Sequence, residues 1–166
     1  GGRRVIELQD CLGPMLPVDQ FDAPTSLAER FALLRGPGAP TGRFRGVVAP
    51  RLVAGEGITA ESATATLHVP TSAPFFADHF PRRPVFPATL LLDAQIGHAM
   101  QLAAPGAVPV RMTHVKMRSF ITPGDVLQIE ARRTTAEPSR ILLSARNADG
   151  RTVATARLET TSEPTA

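Results

Sequence analysis

A chain of 166 residues with 43% hydrophobic content has the size of one globular domain with a core of its own. Its 18 Lys and Arg against 15 Asp and Glu leave a formal charge of only +3, the Arg residues are scattered, and neither Trp nor Tyr is present, so the basic runs and stacking aromatics of nucleic-acid binders are missing. Cys11 alone excludes an intrachain disulfide and a multi-cysteine metal site, no apolar run reaches membrane-spanning length, and the opening Gly1-Gly2-Arg3-Arg4 lacks the apolar core of a signal peptide. The expectation is a soluble, cytoplasmic protein, either standing alone or cut from a longer polypeptide, with neither nucleic acid nor membrane as partner.

Residues 1–42 read as an irregular N-terminal extension or linker. Pro14, Pro17, Pro24, Pro37 and Pro40 interrupt any long element, and only residues 26–34 suggest a short helix, with Ser26 as N-cap and Glu29 three residues on. Arg35-Gly36-Pro37-Gly38-Ala39-Pro40 is a helix stop or linker. The main domain is placed at residues 43–162. Residues 44–53 and 62–69 show strand alternation, and residues 70–87 form a loop rich in Pro and Phe. Residues 88–103 carry Leu90, Leu91, Leu92, Ala94, Ile96, Ala99, Met100 and Leu102, apolar on nearly every face, as in a helix surrounded by protein. Four strands follow at 110–121, 126–135, 140–147 and 152–160, with Asp149-Gly150 marking a hairpin. This order predicts an α+β fold, an antiparallel sheet wrapped around one long central helix.

The chemistry is concentrated in Asp78-His79-Phe80-Pro81-Arg82-Arg83-Pro84-Val85-Phe86-Pro87 and the helix behind it, whose lone acid, Asp93, falls fourteen residues after His79. An imidazole titrates near neutrality, and a carboxyl among Leu and Ile can be held protonated by desolvation, so the pair offers a base and an acid. With the later run Lys116-Met117-Arg118-Ser119-Phe120-Ile121-Thr122-Pro123-Gly124-Asp125, these motifs resemble the β-hydroxyacyl-acyl-carrier-protein dehydratases of fatty acid and polyketide synthesis, over residues 44–161. The resemblance implies the hotdog fold, a homodimer and no cofactor. It also implies that His79 takes the α-proton of a 3-hydroxyacyl thioester while Asp93 of the other subunit protonates the departing hydroxyl. The backbone N–H of Ala88, at the family's Gly position, would hold the thioester carbonyl at the helix N-terminus. Asp in place of the commoner Glu resembles the branch that also isomerises the new double bond. The chain departs from the family at Asp78 and Arg82, which replace glycines, and at Gly97, where a Gln usually hydrogen-bonds the acid.

Phe80, Phe86, Met117 and Phe120 are candidates to line an acyl tunnel, as are Phe75, Phe76 and Met100, although apolar residues at such spacing are core residues first. Arg82, Arg83, Lys116 and Arg118 are candidates to meet a phosphopantetheine phosphate or an acidic acyl carrier protein, against the plainer reading of a solvated charged face. His98 lies about 140° around the helix from Asp93 and so does not replace the missing Gln. His68 and His114 sit on strands without a second ligand at metal spacing, so no metal is expected. The rivals to a dehydratase are a hotdog thioesterase, an enoyl isomerase, and a non-catalytic acyl-binding or structural module of a synthase.

Overall fold

The computed structural model describes residues 7, 9–13, 16–38, 50–55 and 57–161. Two α-helices, α1 (Pro24–Arg35) and α2 (Ala88–Ala99), accompany six strands: β1 (Arg51–Ala54), β2 (Ser62–His68), β3 (Val108–Met117), β4 (Val126–Arg133), β5 (Arg140–Arg146) and β6 (Thr152–Thr161). The strands form one antiparallel sheet in the order β1-β2-β4-β5-β6-β3. Antiparallel sheet and central helix are as the sequence predicts. The expected strand over residues 44–53 is described only from Pro50 onward; the rest lies outside the described residues.

Period-two burial explains the sheet. In β2 the inward positions Ala63, Ala65 and Leu67 are buried between exposed or half-buried neighbours, and Leu127, Ile129 and Ala131 of β4 repeat the pattern. Much of this inner face is alanine: Ala63, Ala65, Ala131, Ala145, Ala154 and Ala156 are all buried. Such small side chains let α2 lie close against the sheet. The β5–β6 hairpin turns at Gly150, whose φ of 76° suits a residue without Cβ and whose N–H bonds the Asn147 carbonyl at 2.9 Å.

The helices show where sequence pattern and packing part. α1 starts two residues before the expected cap: Pro24 occupies the first turn, where its fixed φ and missing N–H do no harm, and Ala23 rather than Ser26 is the N-cap. It stops as expected, with the N–H of Gly36 bonded to Ala32 and Leu33 carbonyls and that of Gly38, at φ 82°, to Leu33. α2 continues into a 3-10 turn, Met100–Leu102. The sheet covers one side of α2, where Leu91, Gln95, His98 and Ala99 are buried, while Ala88, Thr89, Asp93 and Gly97 are exposed. The nearly all-round apolar sequence therefore has a covered side and an uncovered one within this chain. The covered side is itself partly polar. The Gln95 amide and His98 Nε2 are buried with no hydrogen-bond partner among the described residues.

No helix among the described residues is long and apolar enough to cross a membrane. Leu91 is fully buried at the junction of helix and sheet. Leu91→Ala is expected to lower the unfolding free energy by about 2–5 kcal/mol, and Thr89→Ala, on the exposed first turn, by no more than ~0.5 kcal/mol, read from urea midpoints.

Candidate active site

The loop between β2 and α2 is bound to the sheet at several points. Val69 N–H bonds the Asp125 carbonyl, so the Pro123-Gly124-Asp125 turn packs where β2 ends. A 3-10 turn, Pro74–Ala77, follows, and its Phe76 is buried in the core. His79 N–H then bonds the Phe75 carbonyl at 2.9 Å, and Phe86 N–H bonds Ile121 O at 2.8 Å. The prolines limit the number of backbone N–H groups this irregular path must satisfy.

Within that frame His79 is held twice. Its carbonyl accepts from Val85 N–H at 2.9 Å, and its Nδ1 lies 2.9 Å from the Val85 carbonyl. A carbonyl only accepts, so Nδ1 carries a proton, and in the neutral imidazole Nε2 is the nitrogen with the lone pair. The ring is half-buried and stacked on Phe80, with centroids 4.4 Å apart. The outcome is an imidazole of fixed tautomer and orientation with Nε2 available to accept a proton.

Asp93 stands on the uncovered side of α2 with no hydrogen-bond or ion-pair partner among the described residues. The desolvation expected from its Leu and Ile neighbours is therefore not supplied by its own chain. Gly97, one turn on, is also exposed, and a Cβ there would meet nothing within 4 Å. His98 is buried on the other side, as the helical angle predicts. Ala88 opens the helix after the cap residue Pro87, so its N–H is among the first-turn donors left free of intrahelical acceptors.

The four tunnel candidates separate. Phe80 and Phe120 line one open apolar pocket of about 370 Å³ together with Leu16, Val18, Phe21 and Leu27. Phe86, 2% exposed, belongs to the core, as does Phe76. Met117, 39% exposed, sits on the edge strand β3.

The four cationic candidates also split in two. Arg82 and Arg83 turn toward the N-terminal segment: Arg82 Nη1 donates to the Asp19 carbonyl at 3.0 Å, and Arg83 lies over the rings of Phe21 and Phe120. Lys116 and Arg118 line a groove of about 480 Å³ on the outer sheet face with His114, Arg132, Arg146 and Arg157, where Glu130 is the sole acid. Sequence reasoning missed this groove. Its residues come from three separate strands and the end of β3, and only the strand register puts them on one side. It also missed Phe21, whose ring partners Phe80 and Phe120 lie far along the chain, and Asp22 with Arg30, which pair with each other while Arg30 also approaches Asp78. No group of three or more His, Cys, Asp and Glu side chains converges among the described residues.

Comparison with known proteins adds to this geometry. The family described as ApeI-like, ApeI dehydratase, matches residues 56–157. The 3-hydroxyacyl-[acyl-carrier-protein] dehydratase FabZ of Protochlamydia amoebophila is 37% identical over 62 residues, 34% of this chain and 40% of that protein. FabZ of Syntrophotalea carbinolica is 29% identical over 106 residues, 58% of this chain and 72% of its own length. The chain spans between 40% and 54% of the first three such relatives. Among solved structures, the dehydratase heterocomplex ApeI:P from Xenorhabdus doucetiae superposes with a TM-score of 0.56 at 18% identity, covering 70% of this chain and 98% of that one. A hypothetical thioesterase of Streptococcus pneumoniae gives 0.55 at 13% identity, covering 72% and 98%. At these identities the solved structures establish the fold alone, which is the hotdog.

The hydrogen bond to Val85 makes a spectroscopic prediction. Long-range proton–nitrogen correlation spectra of the neutral imidazole should show His79 protonated at Nδ1 and bare at Nε2; a predominant Nε2–H tautomer would contradict the proposed orientation.

Proposed function

The chain belongs to the ApeI-like dehydratase family, and from that premise we propose that it removes water from a 3-hydroxyacyl thioester carried on acyl carrier protein or its phosphopantetheine arm, giving the trans-2-enoyl thioester in fatty acid or polyketide synthesis. The observation that carries the reading is the His79 imidazole, fixed through Nδ1 by the Val85 carbonyl with Nε2 left as base. The FabZ relatives, whose name states this substrate class, support it.

In this reading Nε2 takes the α-proton, the electron pair of that C–H bond becomes the new C=C π bond, and the bond from the β-carbon to its hydroxyl breaks. Asp93, in its acid form, gives its proton to the departing oxygen, which leaves as water. Charge developing on the thioester carbonyl during proton removal is met by the Ala88 N–H and the positive end of α2. Each step moves a proton or an electron pair, and the residues named supply every donor and acceptor.

The reading requires a second subunit. Asp93 on the uncovered side of α2 and the long edge strand β3, with Val110, Val115 and Met117 exposed, both favour a homodimer in which His79 of one copy works with Asp93 of the other. Lys116 and Arg118 are proposed contacts for the phosphate or acidic surface of the carrier, and Phe80 and Phe120 for the acyl chain. Arg82 and Arg83 already hold the N-terminal segment, and Phe86 and Met117 lie outside the apolar cavity, so these four are weaker candidates for direct substrate contact.

Mass spectrometry of a 3-hydroxyacyl-pantetheine thioester incubated with the protein should show loss of water, with His79→Ala and Asp93→Asn each slower by on the order of 10²- to 10⁴-fold. Release of free acid in place of enoyl thioester would point to hydrolysis. Mixing the two inactive variants and allowing subunits to exchange should restore about a quarter of wild-type activity, since half the dimers are mixed and each has one intact site of two. No recovery after demonstrated exchange would place His79 and Asp93 of one site on the same chain.

A further inference from the structure

The matched family region begins at residue 56, and the sequence alone gives residues 1–42 no role. We infer that residues 16–35 form a strap that positions the His79 loop, with Phe21 and Arg30 as its positioning residues. The inference rests on the reading of His79 as the base.

The strap meets the loop on both sides of His79. Before it, Arg30 approaches Asp78 at 3.9 Å while holding Asp22 at 2.8 Å. Asp22 is 6% exposed, and its other carboxylate oxygen accepts from Ala23 N–H at 2.7 Å, so Arg30 is anchored on the strap rather than free to wander. After His79, Phe21 meets Phe80 edge to face with centroids 5.2 Å apart and meets Phe120 at 5.7 Å. The Phe21 carbonyl accepts Arg82 N–H at 3.0 Å, and Arg82 Nη1 reaches the Asp19 carbonyl at the same distance. Arg83 lies over Phe120 and Phe21 at 4.9 and 5.6 Å.

These contacts form a physical series. Phe21 fixes the plane of Phe80, Phe80 stacks on His79, and the ring of His79 sets where Nε2 points. Two of the loop residues involved, Asp78 and Arg82, stand where the resembling family has glycine. A glycine would supply neither the carboxylate that meets Arg30 nor the guanidinium that reaches Asp19. The departures from the motif are therefore the residues through which this chain supports its loop from outside the matched region. An imidazole tilted by loss of that support would miss the proton it must take.

The test uses the full chain, with Phe21→Ala, Arg30→Gln, a conservative Phe21→Tyr, and Phe31→Ala as a control on the exposed side of α1. Phe21→Ala should lower kcat for dehydration of the 3-hydroxyacyl-pantetheine thioester by on the order of 10- to 100-fold, well beyond the rise in KM that follows from Phe21 also lining the apolar pocket. Arg30→Gln should act in the same direction, Phe21→Tyr should restore most of the loss, and Phe31→Ala should leave kcat unchanged. The His79 imidazole resonances are read in the same variants and should move in Phe21→Ala but not in Phe31→Ala. Unchanged kcat together with unchanged His79 resonances in folded Phe21→Ala and Arg30→Gln overturns the strap. If wild type itself forms no enoyl product, the dehydratase reading fails, and the His79 resonances alone decide the strap.

Discussion

A single sheet can cover only one side of a helix that lies across it, and the arrangement of this protein follows from that limit. The covered side of α2 is fixed by Leu91, Gln95, His98 and Ala99 against an inner face built largely of alanine. The rotation of the helix about its axis is thereby set, and so is the direction in which every other helical position points. Asp93 and Gly97 are consequently placed in the open, and the N-terminal donors of the helix are delivered to the end of the Pro-framed loop. Asp93 is thus held at an open surface, and His79 is held by the loop that leads into the helix.

The loop is irregular but well anchored, because its backbone groups find partners in three directions. His79 bonds back to Phe75, Val85 bonds back to His79, and Phe86 bonds across to Ile121. The last of these ties the loop to the segment that follows β3, so the two sequence motifs singled out at the start are joined in space. The Val85 carbonyl receives the imidazole as part of the same local network. The backbone hydrogen bond thus fixes one ring nitrogen of His79, and the stack on Phe80, itself met by Phe21, fixes the plane of the ring.

Much of this was legible in the sequence because it rests on local rules. Alternation located β2, β4, β5 and β6 to within a residue or two, Asp149-Gly150 located the hairpin, and Gly36-Pro37-Gly38 located the end of α1. The His79 and Asp93 motif and the fold it implies were legible through resemblance. What was not legible required knowledge of distant neighbours. An apolar helix gives no sign in its own sequence of which side the sheet will cover, so the exposure of Asp93 was hidden. Arg132, Arg146 and Arg157 are scattered along the chain, and only adjacent strands in register gather them with Lys116 and Arg118 on the outer face. Phe21 looked like one more residue of an irregular extension, since nothing local marks its contact with Phe80.

That contact has a further consequence, for the order in which the molecule assembles and comes apart. α1 buries no residue, and a helix of twelve residues has little stability of its own in water. Its attachments run to a loop that takes shape only once β2, α2 and the chain after β3 are in place, and the bond from Arg82 to Asp19 spans 63 residues of sequence. Loop closure over that distance is rewarded only after the sheet has formed. The strap is therefore the last part to dock and the first to detach, a separate unit of low local stability resting on a cooperative core. Warming or mild denaturant would release it while sheet and helix persist, so the fine positioning of the imidazole is lost before the fold that carries it.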